Sequence, residues 1–262
     1  HPVRRTLASM TLLHVEARGV GAPVVLLHGS PTTPAHLRPL AARLSVRYRT
    51  LLVHLPGYGE SAALEPYDLD ASHGLVEDSL AAIGLSEAHF VGFSGGAYRA
   101  FAIATRTRLR VLSIAGLAAI AEVSREEGAT LAGFAQMLRA GGVDPGPILE
   151  QRMLSPEGRM NPDWVADVIS WGAAIAPPQL ASELEAFASA PDLRVAVANL
   201  DVPILLRVGA LDVASPPARS TLIAAVAKRA VLEEVAGAGH ALLCEDFDAT
   251  AASVERHLRA AE

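Results

Sequence analysis

The chain has 262 residues, of which 51% are hydrophobic and 19% are charged, and its net charge is −6. A disordered chain would carry fewer apolar and more charged residues, and a nucleic-acid-binding protein would usually be basic. These values predict a folded protein with a large apolar core, and they argue against a nucleic-acid partner.

The first part of the chain alternates between strand-like and helix-like segments. Continuous apolar runs such as Val24-Val25-Leu26-Leu27 are typical of parallel strands that are covered on both faces. Such alternation predicts a mostly parallel sheet with helices on both of its faces. In chain order we predict strands over residues 11–17, 24–27, 50–53, 88–93 and 111–114, with helices over residues 34–44, 70–83 and 95–104.

The middle of the chain has a different pattern. Between residues 118 and 200 the sequence contains helix-like stretches separated by glycines and prolines, and it contains no convincing strand. We therefore predict one α/β core formed by residues 1–117 and 201–262, interrupted by a helical insertion over residues 118–200. In the second core segment, strands are predicted over residues 203–208 and 231–235 and helices over residues 217–228 and 241–260.

Cysteine content and the length of apolar runs bear on where the protein acts. Cys244 is the only cysteine, so no internal disulfide can form, which is compatible with a reducing compartment. The longest stretch of apolar or small residues, 111–121, is shorter than the roughly 20 residues that a bilayer-spanning helix needs. We expect a cytoplasmic protein without a membrane segment or signal peptide, and a monomer and a homodimer both stay open.

A candidate nucleophile stands at a predicted strand-to-helix turn. The segment Gly92-Phe93-Ser94-Gly95-Gly96 contains the pattern Gly-x-Ser-x-Gly, directly after an apolar strand and before a helix. Such a turn presents the serine hydroxyl at the edge of the sheet, and the helix N-terminus below it favours developing negative charge. We predict that Ser94 is a catalytic nucleophile, and the alternative is an ordinary glycine-rich turn.

A serine hydroxyl needs a base, and the base needs an acid that orients it. His240 follows the last predicted strand, and Asp212 follows the strand before it, which gives the order serine, acid, histidine expected for this kind of sheet. We predict that both act with Ser94, although His240 has the alternative role of a polar residue capping the final helix. Glu245 and Asp246 lie nearer to His240 in sequence, but we predict that they form the solvated face of that helix.

Backbone N–H groups are the usual donors to the alkoxide that forms during acyl transfer. Gly95 follows the nucleophile and supplies one predicted N–H donor. The loop after strand 24–27 supplies the other from Ser30, because Pro31 has no N–H to donate. We expect His28, at the start of this loop, to brace it through hydrogen bonds without taking part in chemistry.

Five segments follow the pattern of one known family: His28-Gly29-Ser30-Pro31, Pro56-Gly57-Tyr58-Gly59-Glu60-Ser61, Gly92-Phe93-Ser94-Gly95-Gly96, Gly209-Ala210-Leu211-Asp212 and Gly239-His240. Together they resemble the α/β-hydrolase fold family over nearly the whole chain. In addition, residues 209–218 resemble the acid loop of 3-oxoadipate enol-lactonase-type members. The resemblance implies a mostly parallel central sheet with helices on both faces, and a helical cap over the active site.

The resemblance also bears on the chemistry and on the pocket. Epoxide hydrolases and haloalkane dehalogenases share this fold but use an aspartate nucleophile, so Ser94 argues against both. If the insertion is the family's cap, its apolar residues line a substrate pocket. We predict this role for Phe134, Met137, Trp164 and Trp171, and the alternative is that they only pack within the insertion.

These features predict a cofactor-independent serine hydrolase that cleaves a small, partly apolar ester, thioester or lactone. Amide hydrolysis and carbon–carbon bond hydrolysis use nearly the same residues and stay open, as does a ligand-binding protein without activity on the hydrolase scaffold. The sequence contains neither the histidine clusters of metal hydrolases nor a nucleotide-binding glycine motif. We therefore expect a small-molecule substrate, no metal and no cofactor.

Overall fold

The computed structural model describes residues 11–141 and 143–262. The first ten residues of the predicted core segment 1–117 and Gly142 of the predicted insertion therefore lie outside the described residues.

A seven-stranded sheet organises the described chain. Its strands are β1 (Val15–Arg18), β2 (Pro23–Leu27), β3 (Arg49–Val53), β4 (Glu87–Phe93), β5 (Arg110–Leu117), β6 (Ile204–Gly209) and β7 (Ala230–Val235). The spatial order is β1-β3-β2-β4-β5-β6-β7, with β1 antiparallel to β3 and all other pairs parallel. This arrangement confirms the predicted mostly parallel α/β fold.

Helices connect the strands and cover the sheet. In chain order they are α1 (Pro34–Leu44), α2 (Leu69–Ala82), α3 (Gly95–Ala104), α4 (Arg125–Arg139), α5 (Gly146–Met153), α6 (Pro162–Ala173), α7 (Pro177–Ala188), α8 (Arg194–Val197), α9 (Pro217–Val226), α10 (Leu242–Glu245) and α11 (Phe247–Ala260). Local capping explains several of the starts. Thr33 and Asp68 accept backbone N–H groups at the beginning of α1 and α2, and Ser124 and Glu127 form a capping box at α4.

Two buried apolar clusters lie on opposite faces of the sheet. Val25 of β2 belongs to the first cluster together with Leu80 of α2, whereas the next residue, Leu26, belongs to the second cluster together with Leu40 of α1. Successive side chains of a strand point to opposite faces. Because both faces are covered, the strand is apolar at every position, which explains the continuous apolar runs of the sequence.

Residues 118–200, which we predict to be an insertion, contribute to both clusters. In its described part α4 packs against α7, and α5 packs against α6. Leu138 and Leu184 of the first pair join the first cluster, whereas Met153 and Trp171 of the second pair join the second cluster. The insertion is therefore packed against the core through apolar side chains at two separate places.

The clearest departure from the predicted elements concerns the last helix. One helix was expected over residues 241–260, but the chain forms α10 and α11 with a break at Asp246, whose φ of −148° lies outside the helical region. The Asp246 carboxylate accepts hydrogen bonds from Arg207 Nη2 at 2.6 Å and from Thr250 Oγ1 at 3.1 Å. The prediction that Asp246 lies on a solvated helix face is therefore wrong, because a buried arginine binds it.

The length and hydropathy of a helix decide whether it can span a bilayer. A spanning helix needs about 20 mostly apolar residues. None of the helices within residues 11–141 and 143–262 meets that requirement in both length and hydropathy.

The packing of β2 gives a test of the core. Leu26 is fully buried between neighbouring strands and α1, so we expect Leu26→Ala to lower the free energy of unfolding by about 2–5 kcal/mol through loss of burial and cavity formation. Val46 is 88% exposed, and Val46→Ala should change the free energy of unfolding by no more than about 0.5 kcal/mol. Urea denaturation of both variants measures the difference, and equal effects would contradict this description of the core.

Candidate active site

Ser94 lies between β4 and α3 in a backbone conformation that serine rarely adopts. Its φ is 52° and its ψ is −117°, and its side chain is partly exposed at the carboxyl edge of the sheet. Glycines make this turn sterically allowed: a Cβ at Gly92 would overlap the backbone of Ala97, and one at Gly96 would overlap the Leu27 carbonyl. The Gly-x-Ser-x-Gly spacing is thus required by the close approach of α3 to β4 and β2.

His240 and Asp212 meet in the loops that follow β7 and β6. The distance between His240 Nδ1 and Asp212 Oδ2 is 2.7 Å, and both residues are buried. The other carboxylate oxygen, Oδ1, accepts the backbone N–H groups of Ala214 at 2.8 Å and Ser215 at 2.7 Å. Because a carboxylate only accepts hydrogen bonds, Nδ1 carries a proton, and in the neutral ring Nε2 is then the nitrogen with the lone pair.

The three predicted catalytic residues lie on loops at the same edge of the sheet, since β4, β6 and β7 are parallel. Phe93, directly before Ser94, packs against the His240 ring with a centroid separation of 4.8 Å. Within the described residues, Ser94 Oγ makes no hydrogen bond to His240. Such contacts commonly tighten only when a substrate binds.

His28 braces the loop after β2, as expected. Its Nδ1 donates to the Gly29 carbonyl at 2.9 Å, and its Nε2 accepts the Leu55 N–H at 3.2 Å. Complete burial lowers the pKa of His28 to about 4, so the ring is neutral near pH 7. A Cβ at Gly29 would lie 3.1 Å from Ser94 Cβ, so this loop touches the turn that carries the serine.

The two predicted oxyanion donors therefore flank the same turn. Gly95 is the first residue of α3, where backbone N–H groups have no partner inside the helix. Ser30 follows Gly29 in the braced loop, and its Oγ is buried with no hydrogen-bond partner in the described part of the chain. Their donation to an oxyanion stays a prediction.

A narrow apolar cleft adjoins this loop. It has no room for a water molecule, and it is lined by two residues of the loop and four of the insertion, namely Pro31, Thr32, Leu149, Met153, Val168 and Trp171. The lining comes from α5 and α6 on the insertion side. The Ser30 loop therefore packs against apolar side chains of the insertion.

The structure separates the four predicted pocket residues. Trp171 lines the cleft, and Trp164 is half-buried against the same apolar cluster. Phe134 packs on the opposite cluster, and Met137 is 47% exposed on α4. Of the four, only Trp171 lies at the cleft beside the Ser30 loop.

Within residues 11–141 and 143–262, no group of three or more His, Cys, Asp or Glu side chains is arranged to hold a metal ion.

Glu245 has a role that the sequence analysis missed. Its carboxylate accepts the backbone N–H of Ser155 at 2.8 Å and that of Gly239 at 2.5 Å, and Gly239 immediately precedes His240. The prediction that Glu245 lies on a solvated helix face is therefore wrong, because two loops supply it with donors. It ties the histidine loop to the insertion, and Ser155 is too distant in sequence to suggest the contact.

His36 is a second residue that the sequence analysis did not identify. Its ring lies 4.3 Å from the Phe93 ring and 4.5 Å from Trp171, measured between centroids. It is only 3% exposed, and neither ring nitrogen has a partner among the described residues. Burial, together with the nearby His240 and His28, lowers its pKa to about 3, so the ring is neutral near pH 7.

Comparison with known proteins shows the family to which the chain is similar. A family model described as "Alpha/beta hydrolase family" matches residues 24–253. A pimeloyl-[acyl-carrier protein] methyl ester esterase from Aeromonas hydrophila is 33% identical over 223 residues, which are 80% of this chain and 84% of that protein. The protein of the same name from Chromobacterium violaceum is 38% identical over 115 residues, and this alignment spans 44% of each chain.

A solved structure extends the similarity to the backbone. The enol-lactonase from Burkholderia xenovorans LB400 superposes with a TM-score of 0.86 at 25% sequence identity. The superposition covers 94% of this chain and 96% of that one. The backbone fold is thus shared over nearly the full length of both chains.

The contacts of Glu245 generate a stability test. We expect Glu245→Ala to lower the free energy of unfolding by about 2 kcal/mol, because two backbone N–H groups lose a charged acceptor. Glu157, which is exposed in the same part of the insertion, provides the control, and Glu157→Ala should have an effect below about 0.5 kcal/mol. Chemical denaturation of the two variants decides, and a neutral Glu245→Ala variant would contradict the assigned role.

His36 generates a test of pH dependence. Its pKa is about 3 in the folded protein against 6.5 ordinarily, so below pH 6.5 the unfolded chain binds a proton that the folded chain excludes. The contribution to stability is complete above pH 6.5 and decreases as the pH falls. Between pH 7.5 and pH 5, we expect the free energy of unfolding to fall by about 1–2 kcal/mol less in His36→Leu than in the wild type, as measured by urea unfolding. Parallel losses in both proteins would contradict the description.

Proposed function

This chain belongs to the alpha/beta hydrolase family and is a hydrolase acting on ester bonds, and we propose that it is a serine hydrolase that uses an acyl-enzyme. The carrying observation is the placement of Ser94 on a strained turn, against the Gly29 loop and at the same sheet edge as the His240–Asp212 pair. The proposed substrate is a small, partly apolar ester, thioester or lactone.

The first proposed step is the attack of Ser94 Oγ on the carbonyl carbon. His240 Nε2 takes the hydroxyl proton as the carbon–oxygen bond forms. Asp212, fixed by two backbone N–H groups, keeps the proton on Nδ1 and stabilises the imidazolium that results. The carbonyl electron pair moves onto the oxygen, which becomes an oxyanion.

We assign stabilisation of that oxyanion to the backbone N–H groups of Gly95 and Ser30. Gly95 stands at the N-terminus of α3, where the helix dipole favours negative charge. The Ser30 loop contacts Ser94 through Gly29, so both donors border the position of the reacting carbonyl. Fixed donors of this kind stabilise the transition state more than the substrate.

Collapse of the tetrahedral intermediate then releases the alcohol, thiol or enol. The protonated His240 donates its proton to that leaving group and becomes a base again. A water molecule, deprotonated by His240, attacks the acyl-enzyme carbonyl. Collapse of the second tetrahedral intermediate breaks the bond from the carbonyl carbon to Ser94 Oγ, and the protonated His240 returns the proton to that oxygen. The products are a free acid and the regenerated enzyme, and no cofactor takes part.

The insertion, residues 118–200, is proposed as the cap that selects the substrate. Support comes from the cleft, where Leu149, Met153 and Trp171 face Thr32 of the oxyanion loop. The relatives reported above are named for a methyl ester esterase and for an enol-lactonase, and both names describe the hydrolysis of an ester bond. An apolar segment next to the carbonyl would have to displace these side chains to enter the cleft, whereas Phe134 and Met137 lie away from it.

The serine hydrolase proposal has a direct test with p-nitrophenyl butyrate. We expect Ser94→Ala to lower kcat/KM by at least about 10³-fold, because no other group replaces the nucleophile. Ser170, exposed on α6, gives the control, and Ser170→Ala should keep the wild-type rate. A fluorophosphonate should label the wild type at Ser94 and leave Ser94→Ala unlabelled.

Two results would overturn this proposal. Wild-type protein that neither turns over short esters and lactones nor reacts with the fluorophosphonate would favour a ligand-binding protein. Equal activity of the wild type and Ser94→Ala would place the nucleophile elsewhere.

A further inference from the structure

A fully buried ion pair joins the insertion to the helix that begins behind Ser94. Arg99 of α3 and Glu183 of α7 are both inaccessible to solvent, and Arg99 Nη2 donates to Glu183 Oε1. Two phenols add to the pair: Tyr58 donates to Glu183 Oε2 at 2.5 Å, and Tyr67 donates to Oε1 at 3.3 Å. Every oxygen of the Glu183 carboxylate thus has a donor.

Stability alone is a weak explanation for this arrangement. Removing two charges from water carries a large desolvation penalty, and apolar side chains of similar size often stabilise a core at least as well. An ion pair does differ from apolar packing in one respect, since its hydrogen bonds fix the directions of the groups around it. The pair therefore orients the groups that it contacts, and these lie on two sides of it.

On one side the pair reaches the turn of Ser94. Arg99 Nη1 donates to the Gly95 carbonyl at 3.2 Å, and its guanidinium lies 4.8 Å from the centroid of the Phe187 ring. A Cβ at Gly95 would lie 3.3 Å from Arg99 Nη1 and 3.1 Å from Phe187, so the space around this turn is filled. The strained backbone of Ser94 persists only where its surroundings fix it in this way.

On the other side the pair reaches the loop after β2. The Tyr58 ring packs edge-on against His28 with a centroid separation of 4.6 Å, and His28 holds the Gly29 carbonyl. Burial raises the pKa of Tyr58 well above its usual value, and the Glu183 carboxylate raises it further. The Tyr58 hydroxyl is thus a proton donor to Glu183, and the Tyr58 ring packs against the histidine that braces the Ser30 loop.

From these contacts we propose that Glu183 is a positioning residue for the oxyanion hole. Through Arg99 it holds the first turn of α3, which carries the Gly95 N–H, and through Tyr58 it holds the loop that carries the Ser30 N–H. A side chain of the insertion thereby sets the distance between two donors of the core. The inference rests on the proposed function, because it assumes that both N–H groups bind an oxyanion.

The charges of the pair determine which variants are informative. Arg99 and Glu183 cancel each other, so the network adds no net charge beside the oxyanion. Replacing one partner would leave the other charge buried and uncompensated, which would mix unfolding and electrostatic effects with positioning. The test therefore replaces both charges together and uses the hydrolysis of p-nitrophenyl butyrate.

We expect the double variant Arg99→Met with Glu183→Leu to fold and to lower kcat by about 10- to 100-fold. This is less than the roughly 10²- to 10³-fold loss on removing an oxyanion donor, because the N–H groups are misplaced and not removed. KM should stay within about threefold, since the donors act mainly in the transition state. The apparent pKa of the pH–rate profile should not move, because the His240–Asp212 pair is untouched.

Conservative and control variants separate positioning from a loss of structure. Arg99→Lys keeps the charge but cannot reach Glu183 and the Gly95 carbonyl together, so its kcat should lie between those of the double variant and the wild type. Tyr58→Phe removes the hydrogen bond to Glu183 and should lower kcat only by loosening the loop that carries the Ser30 N–H. Arg139→Gln with Glu185→Gln breaks an exposed ion pair between α4 and α7, and this control should keep the wild-type kcat.

A folded double variant with wild-type kcat, or one in which only KM rises, overturns the inference. So does a loss of kcat that the control pair reproduces. If the double variant does not fold, Arg99→Lys and Tyr58→Phe decide, and wild-type kcat in both overturns the inference. Failure of the proposed function is distinct, because it appears as an inactive, unlabelled wild type.

Discussion

The left-handed backbone of Ser94 is the constraint on which the surrounding structure depends. Holding a serine at a φ of 52° costs about 1–3 kcal/mol, so the neighbouring chain must fix the turn on several sides. Close contact with β2 explains why glycine is needed at Gly96, and the contact with Gly29 brings the next loop against the serine. The apolar sheet beneath is the rigid base that makes these approaches reproducible.

Two carboxylates link the insertion to this region from different directions. Glu183 points from α7 of the insertion toward the core, whereas Glu245 points from α10 of the core toward Ser155 of the insertion. Glu183 accepts hydrogen bonds from donors of the core, whereas Glu245 accepts them from donors of both parts. The apolar clusters supply most of the burial, and the carboxylates define the register in which the two parts meet.

The sequence predicted the parts of the site that depend on local chemistry. The Gly-x-Ser-x-Gly turn, the bracing role of His28 and the positions of Asp212 and His240 after consecutive strands follow from short segments and from strand order. Glu183 and Glu245 did not follow, because their partners Arg99 and Ser155 are 84 and 90 residues away in sequence. Such contacts depend on how the insertion packs, and so does the placement of the predicted pocket residues.

The buried Arg99 also limits how new specificities can evolve or be engineered in this protein. Exchanging residues 118–200 for the corresponding helices of a relative would remove Glu183 and leave a guanidinium without its counter-charge inside the core. An unpaired buried charge costs about 3–5 kcal/mol, a large part of the stability of a typical domain. A transplanted insertion would therefore have to bring its own acid at this position or be accompanied by changes at Arg99 and Tyr58. In this protein the insertion can therefore be exchanged only together with the core residues of this ion pair.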